Sequence, residues 1–228
     1  MKRTQSIIAG TGMMALLLMS AAHADNQRGG TTRDYTVTIT NLTPGQVFSP
    51  PVLVTHSQNV ALFTLGEMAS DELALVAEDG DGQPLTALAS TLPEVADAQA
   101  TSAPIPPGAT VEFQISSQNG FDVFSIVGML VNSNDAFFAI DSELLPKTRR
   151  SSDVYNALAY DAGSEANNED CAFVPGPACP ADSGNARAPD GAEGYVHVHN
   201  GIHDSADLSS AAYDWRNPVA IVKVERTR

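Results

Sequence analysis

The stretch Met129–Asp141, MLVNSNDAFFAID, decides the fold and carries the first candidate site. An apolar run that ends at Val131 stops at four polar residues, Asn132–Asp135, and a second apolar run, Ala136–Ile140, follows. The first run, from Phe121, has few polar residues, which predicts a central strand buried on both faces. The polar residues then predict a strand end that opens into an acidic loop.

A second acidic strand end lies at Tyr160–Glu165, YDAGSE, where another short apolar run stops. Oxygen ligands on adjacent loops of a rigid β-scaffold suit a hard cation such as calcium. The sequence therefore predicts that Asp135 and Asp161 share one metal ion at the rim of the sheet. A second explanation stays open, because acidic loop residues are mostly solvated and Asp at a strand end often only caps a turn.

Short strands separated by turn residues continue along the chain. Ala69–Glu78 predicts a helix with Ser70 as its N-cap and Gly80 as its end, and Asn119-Gly120 predicts a hairpin turn. The fold class is all-β, an antiparallel β-sandwich with one or two short helices and long loops. Further strands are predicted at Tyr35–Thr40, Val52–Thr55, Thr110–Ser116, Val154–Tyr160, Tyr195–His199 and Val219–Glu225.

The N-terminus has the pattern of an export signal. A basic start, MKRTQS, precedes a mostly apolar run from Ile7 to Ser20 and the sequence Ala22-His23-Ala24. These features predict a signal peptide over residues 1–24, cleaved after Ala24, and the competing explanation is a membrane anchor. A flexible segment over 25–33 and one domain over 34–228 follow, and the protein is predicted to be secreted or periplasmic.

The composition is strongly acidic, with 27 Asp and Glu against 12 Lys and Arg. Cleavage removes Lys2 and Arg3 but no acid, so the net charge of −15 becomes −17. A chain this acidic is repelled by nucleic acid and by anionic lipid unless a cation intervenes. The basic cluster in Leu145–Ser152 is typical of a solvated loop, with ligand binding as the alternative.

The chain has two cysteines, Cys171 and Cys179, in CAFVPGPAC. In an oxidising compartment a disulfide that closes this short loop is expected. Zinc ligation is the alternative, but no second pair of ligands lies nearby in the sequence. The disulfide is predicted to keep the long loop region from Ala162 to Gly194 compact.

Three histidines form an alternative metal site. His197 and His199 alternate with valines, which places both imidazoles on one face of a strand, and His203 follows closely. Zinc or copper is the metal that this cluster would bind. The competing explanation is an exposed edge strand that carries polar residues.

The sequence contains no catalytic signature that we recognise. No serine lies in a G-x-S-x-G elbow, and H-E-x-x-H and phosphate-binding loop motifs are missing. We therefore expect a protein that is not an enzyme.

Between Tyr35 and Arg226 the chain resembles the spondin domain family, named from the N-terminal region of the extracellular matrix protein F-spondin. It looks like a free-standing member of the bacterial type. The segments that carry the resemblance are Thr38–Thr43, Phe48–Pro51 with Thr55-His56, Ala77–Gly80, Met129–Phe137, Tyr160–Glu165 and Asn217–Val222.

The resemblance implies an antiparallel β-sandwich with one calcium ion. Carried onto this chain, the ligands of the family fall on Asp135, Asp161 and Glu165, with backbone carbonyls and water completing the shell. The third position is usually Asp in the animal proteins, and the longer Glu165 moves its carboxylate outward. The implied function is a calcium-binding adhesion or interaction module with a protein or matrix partner, and the alternative is a periplasmic zinc or copper protein that uses the histidines.

Overall fold

The computed structural model describes residues 31–184 and 186–228, and in this part of the chain the fold is an antiparallel β-sandwich with short helices. The predicted signal peptide, residues 1–24, lies outside the described residues. The described residues form nine strands and three helices, in this order: β1 Arg33–Asn41, β2 Val52–His56, α1 Asp71–Asp79, α2 Gln83–Thr91, β3 Val95–Ala100, β4 Thr110–Ser117, β5 Val123–Met129, β6 Ala136–Leu144, β7 Ser152–Asp161, β8 His197–Val198, α3 Ser210–Tyr213 and β9 Ala220–Arg226.

The strands form one curled sheet in the order β3-β2-β5-β6-β7-β9-β1-β4, and β8 pairs with β7. The strands β3, β2, β5 and β6 form one layer and β9, β1 and β4 form the other, and the long strand β7 joins the two layers. Its first part, from Ser152 to Ala157, pairs with β9, whereas Leu158–Asp161 pairs with β6. At the open edge β3 approaches β4, where Asp97 accepts a hydrogen bond from Ser116 N at 2.9 Å. The sheet is therefore nearly closed.

Side-chain alternation explains how the layers pack. In β1 the residues Tyr35, Val37 and Ile39 are fully buried and the polar residues between them are half-buried, as predicted. The strand β5 is buried along its whole length, because Phe124 and Ile126 face the main core while Val127 faces a second core under the helices. The predicted central strand is thus confirmed.

The helix α1 also forms where the sequence predicts it. Ser70 Oγ accepts a hydrogen bond from Leu73 N, and Gly80 ends the helix with a φ of 67°. Leu73, Val76 and Ala77 face the second core together with Leu85 of α2. These apolar side chains hold both helices on the outer face of the β2–β5 layer.

Several local expectations are wrong. Asn119-Gly120 lies between β4 and β5, but these strands do not pair, because β4 pairs with β1 and β5 belongs to the other layer. The strand predicted over Tyr195–His199 shortens to two residues, and β1 begins at Arg33, inside the segment predicted to be flexible.

The loop region after β7 contains no helix or strand over its described residues 162–184 and 186–196. The disulfide between Cys171 and Cys179 is confirmed, with a Cα–Cα distance of 5.4 Å. Among the described residues no helix is both long and apolar enough to cross a bilayer.

Candidate metal site

Asp135 ends a polar turn that is buried rather than solvated. Asn132, Ser133, Asn134 and Asp135 are each at most 2 % exposed. Asn134 Oδ1 accepts a hydrogen bond from Glu169 N at 3.1 Å, and Asn132 Oδ1 accepts one from Ala178 N at 2.9 Å. The side-chain amides of Asn132 and Asn134 therefore bind backbone N–H groups of neighbouring loops in place of water, and these bonds fix the turn between β5 and β6.

Strand pairing brings the second acid to the first. Ala136, the first residue of β6, pairs with Asp161, the last residue of β7. Asp135 and Asp161 therefore lie side by side at one end of the sheet, although 26 positions separate them in the sequence. Both are fully buried. The register brings the two acids near each other, but the group of potential metal ligands that contains Asp161 does not contain Asp135, so a shared ion stays a prediction.

The turn after β7 adds Glu165. Gly163 adopts a left-handed backbone with a φ of 65°, and its N–H donates to Asp161 Oδ1 at 2.7 Å. The next two N–H groups, of Ser164 and Glu165, donate to Asp135 Oδ2 at 2.8 and 2.9 Å. One carboxylate oxygen of Asp135 is thus satisfied by the backbone of the loop that carries Glu165.

Glu165 is itself 1 % exposed. Its Oε1 accepts a hydrogen bond from Ala188 N at 3.0 Å and lies 4.0 Å from Arg187 Nε. Arg187 is shared, because its Nε also lies 2.8 Å from Glu78 Oε2 at the end of α1. The positive charge nearest to Glu165 is therefore largely neutralised by other acids.

Two carboxylate oxygens in this group have no partner. Asp135 Oδ1 and Glu165 Oε2 are buried and make no hydrogen bond to any described residue. Burial, together with the neighbouring Asp161, raises the pKa of Asp135 to about 8. Burial also raises the pKa of Glu165 to about 7 and raises that of Asp161. Three buried acids without a matching cation cannot all be ionised at low cost.

A second group of metal-binding side chains shares Asp161. One ligand atom each of Asp161, Glu193 and His197 lies within 4.8 Å of the other two, and this group includes neither Asp135 nor Glu165. Asn167 connects its acids, because Nδ2 donates to Asp161 Oδ2 at 2.6 Å and to Glu193 Oε1 at 3.2 Å. A mixed set of carboxylates and imidazole is typical of transition-metal ligands.

The histidines predicted as an alternative site divide into different roles. His197 Nε2 and His199 Nε2 lie 3.9 and 3.7 Å from Asp161 Oδ2, so both face one side as predicted. However, His199 Nδ1 accepts a hydrogen bond from Gly201 N, and its Nε2 lies 3.0 Å from Asn167 Oδ1. Both ring nitrogens are therefore occupied, and burial lowers the pKa of His199 to about 3.

His203 lies apart from that group. It is exposed, and its Nδ1 is 3.8 Å from Glu169 Oε1. The three histidines therefore do not converge on one point: His197 lies beside Asp161 and Glu193, whereas His203 lies beside Glu169.

Glu193 and Asn167 were not predicted from the sequence. Glu193 lies in a glycine-rich segment, GAEGY, which alone indicates a turn. Its one usable signal is its position just before the short strand that carries His197. Asn167 lies two residues after Glu165, in a polar run where nothing distinguishes one amide from the next.

No family model matches this chain, and no curated protein matches it. The resemblance to the spondin domain family thus rests on the quoted segments alone.

Proposed function

We propose that the protein is an exported, calcium-binding β-sandwich of the spondin type that acts as a non-catalytic adhesion or interaction module. The observation that carries the proposal is the pair of buried, unpartnered oxygens, Asp135 Oδ1 and Glu165 Oε2, beside Asp161. Neither charge state satisfies these atoms, because an ionised oxygen lacks a donor and a protonated one lacks an acceptor. A divalent cation held between the two carboxylates would satisfy both.

The donor set fits calcium. Carboxylate and carbonyl oxygens are the ligands of this hard cation, and three carboxylates with one divalent ion leave a net charge near −1. Binding by all three acids requires some movement of side chains, because Asp135 and Glu165 are not in the group whose ligand atoms lie within 4.8 Å. The bound ion would supply positive charge that ties the ends of β6 and β7 to the following loop.

The adhesion role follows from the family resemblance and from where the acids lie. The loop region from 162 to 196, which has no helix or strand in its described part, begins directly at these acids. An ion held there would stiffen this region and lower the entropy lost when it binds a partner. Export is supported by the sequence of the first 24 residues and by the disulfide.

Thermal unfolding with and without calcium tests the cation site. We expect calcium to raise the melting temperature above that in chelator for the wild type. In Asp135→Asn this increase should disappear, whereas Asp153→Asn, which changes an exposed acid at the far end of β7, should keep it. An unchanged melting temperature in the wild type, or an intact calcium response in Asp135→Asn, would reject the proposal.

Retention on the envelope fraction of the producing cells tests the interaction role. The wild type should bind in calcium and elute in chelator, and Asp135→Asn should not be retained. Retention that ignores both calcium and the substitution would separate the interaction from the cation site.

A second candidate function is the binding of zinc or a similar metal by Asp161, Glu193 and His197, and it is favoured by the proximity of their ligand atoms. Zinc titration of two variants separates it from the first. His197→Ala should abolish zinc binding and leave the calcium response intact, whereas Asp135→Asn should do the reverse. Equal zinc affinity in His197→Ala and the wild type would end this second candidate.

A further inference from the structure

The positive charge of the described chain is concentrated at the end of the sandwich opposite the acids. The sequence has 12 Lys and Arg, of which Lys2, Arg3 and Arg28 lie outside the described residues, leaving nine. None of these nine lies between Arg33 and Lys147. Six belong to one cluster, which we call the cationic end: Arg33, Lys147, Arg149, Arg150, Arg226 and Arg228.

Backbone contacts hold this cluster together. Arg226, at the end of β9, pairs in register with Tyr35 of β1. Arg150 N donates to Arg226 O at 2.7 Å, and the Arg226 guanidinium donates to Lys147 O and, at 2.8 Å, to Arg228 O. The start of β1, the loop before β7 and the end of β9 therefore converge, and their cations converge with them.

Most of these cations lack an acidic partner, which separates them from the rest of the described chain. Arg187, Arg216 and Lys223, the three outside the cluster, each form an ion pair with a carboxylate. Within the cluster only two pairs occur, Arg33 with Asp122 and Arg228 with Asp34. The other four cations have no ion pair with a described Asp or Glu side chain, namely Lys147, Arg149, Arg150 and Arg226. The Arg226 guanidinium instead donates to the oxygens of Lys147 and Arg228.

A pocket opens at this end. It has a volume of about 570 Å³ and is lined by Thr31, Arg33, Asn119, Gly120, Asp122, Lys147 and Arg226. Arg33 is 7 % exposed, and its Nη2 donates to Asp122 Oδ1 at 2.7 Å, which fixes the guanidinium. The Arg33 guanidinium also interacts with the buried Tyr35 hydroxyl. A fixed arginine beside unpaired cations is thus built into the fold.

The cationic end lies far enough from the buried acids for its positive charge to attract an anion. The strand β7 begins at Ser152 beside the cluster and ends at Asp161, and ten residues of strand span about 30 Å. The screening length at physiological salt is about 8 Å. The acids at the far end therefore hardly reduce the attraction of an anion to this pocket.

We propose that this pocket binds a small ligand through a phosphate or sulfate group held by Lys147 and Arg226, with Arg33 at its base. Ammonium and guanidinium groups form their strongest hydrogen bonds with such oxyanions. The pocket is open to solvent and its volume leaves room for more than the anion. Thr31 and Asn119 offer polar groups to the rest of the ligand.

Calorimetric titration with sodium sulfate, glucose 6-sulfate and glucose tests this assignment at constant ionic strength and in chelator, so that the result is independent of the acidic site. We expect saturable binding of one sulfate or one sugar sulfate per chain and no binding of glucose. Tighter binding of glucose 6-sulfate would identify a sugar-borne group as the source, whereas equal affinity would identify the free oxyanion. Failure of both sulfates to bind overturns the proposal.

A charge-matched pair of variants shows whether the binding is local. Lys147→Gln with Arg226→Gln should weaken sulfate binding about tenfold, the size expected when charge-assisted hydrogen bonds are lost. Arg216→Gln with Lys223→Gln removes the same charge elsewhere and should leave the affinity nearly unchanged. Lys147→Gln alone, at an exposed side chain without an ion pair, controls for misfolding and should also weaken binding. Equal losses in the two double variants would show a general charge effect and reject the pocket.

Discussion

The protonation state of Asp135 is set by the groups around its two carboxylate oxygens. Its Oδ2 accepts two backbone hydrogen bonds from the loop after β7, whereas its Oδ1 is buried without a partner. The same carboxyl is therefore held in position on one side and left unsatisfied on the other. Its position before β6 is readable in the sequence, but its burial is not, because burial depends on the amides of Asn132 and Asn134 binding distant loops.

The raised pKa values predict how stability depends on pH without calcium. The pKa of Asp135 rises from 3.8 to about 8 and that of Glu165 from 4.5 to about 7. Between these values the folded protein binds more protons than the unfolded chain, so the free energy of unfolding falls as pH rises. Each such proton contributes up to about 1.4 kcal/mol per pH unit. We expect the urea midpoint measured in chelator to decrease as the pH is raised from 6.5 to 8, a range set by these pKa values.

The lower limit of this window avoids the buried histidines. Burial lowers the pKa of His56 and His199, and such groups destabilise the fold as pH drops below their ordinary value of 6.5. Calcium should make the urea midpoint less dependent on pH, because the ion replaces the protons on the acids. In chelator, Asp135→Asn should also reduce the dependence of the midpoint on pH. A wild-type midpoint that is constant or rises across this range would contradict the protonation argument.

At the scale of elements, the site depends on the register of β6 and β7 and on the turn that follows. Pairing of Ala136 with Asp161 sets the two acids side by side, and the turn at Gly163 directs two N–H groups to Asp135. The chain passes close to Tyr195 at this turn, so that a Cβ on Gly163 would overlap the Tyr195 backbone. Glycine is required there both for its backbone conformation and for space.

Substitution of Gly163 by alanine tests this turn. The left-handed backbone alone costs about 1–2 kcal/mol for alanine, and the overlap with Tyr195 adds about 1–3 kcal/mol. Gly108→Ala is the control, because Gly108 has a φ of 71° but has no atom within 4 Å of the added Cβ. We expect a larger loss of unfolding free energy in Gly163→Ala than in Gly108→Ala, measured by urea denaturation.

The two glycine variants should also differ in calcium response. Gly163→Ala should weaken it, since the N–H groups that orient Asp135 move, whereas Gly108→Ala should not. Equal stability losses and equal calcium responses would mean that the turn does not position the acids.

At the scale of the whole molecule, the sequence was most informative where side-chain period and burial agree. Alternation in β1 predicted its position and its buried face, because this strand has a core on one side. The continuous apolar run predicted β5, because that strand has a core on both sides. The helix α1 was predictable from its caps. The fold class and the disulfide followed from the same local signals.

Other features depend on contacts that local sequence does not encode. The strand β3 has no alternation because all of its residues are half-buried between α2 and the sheet edge. Asn119-Gly120 forms a turn, yet the chain crosses between layers there, since β1 and not β5 is the partner of β4. Glu193 joins Asp161 and His197 only through the path of a loop without helix or strand.

The described chain has buried acids at one end of β7 and, at the other end, a cluster of cations most of which form no ion pair with a described Asp or Glu. The acidic end is the proposed cation site, so its charge should be neutralised on binding while the cationic end stays free. Loss of the ion should therefore affect the loops after β7 and leave the proposed oxyanion pocket unchanged.

Calorimetric titration of calcium into chelator-treated protein at pH 7.5, compared with the same titration of Asp135→Asn, tests the central claim most directly. The account predicts one ion per wild-type chain and no measurable binding to the folded variant. Absence of calcium binding to the wild type, or binding of equal affinity to Asp135→Asn, would contradict it.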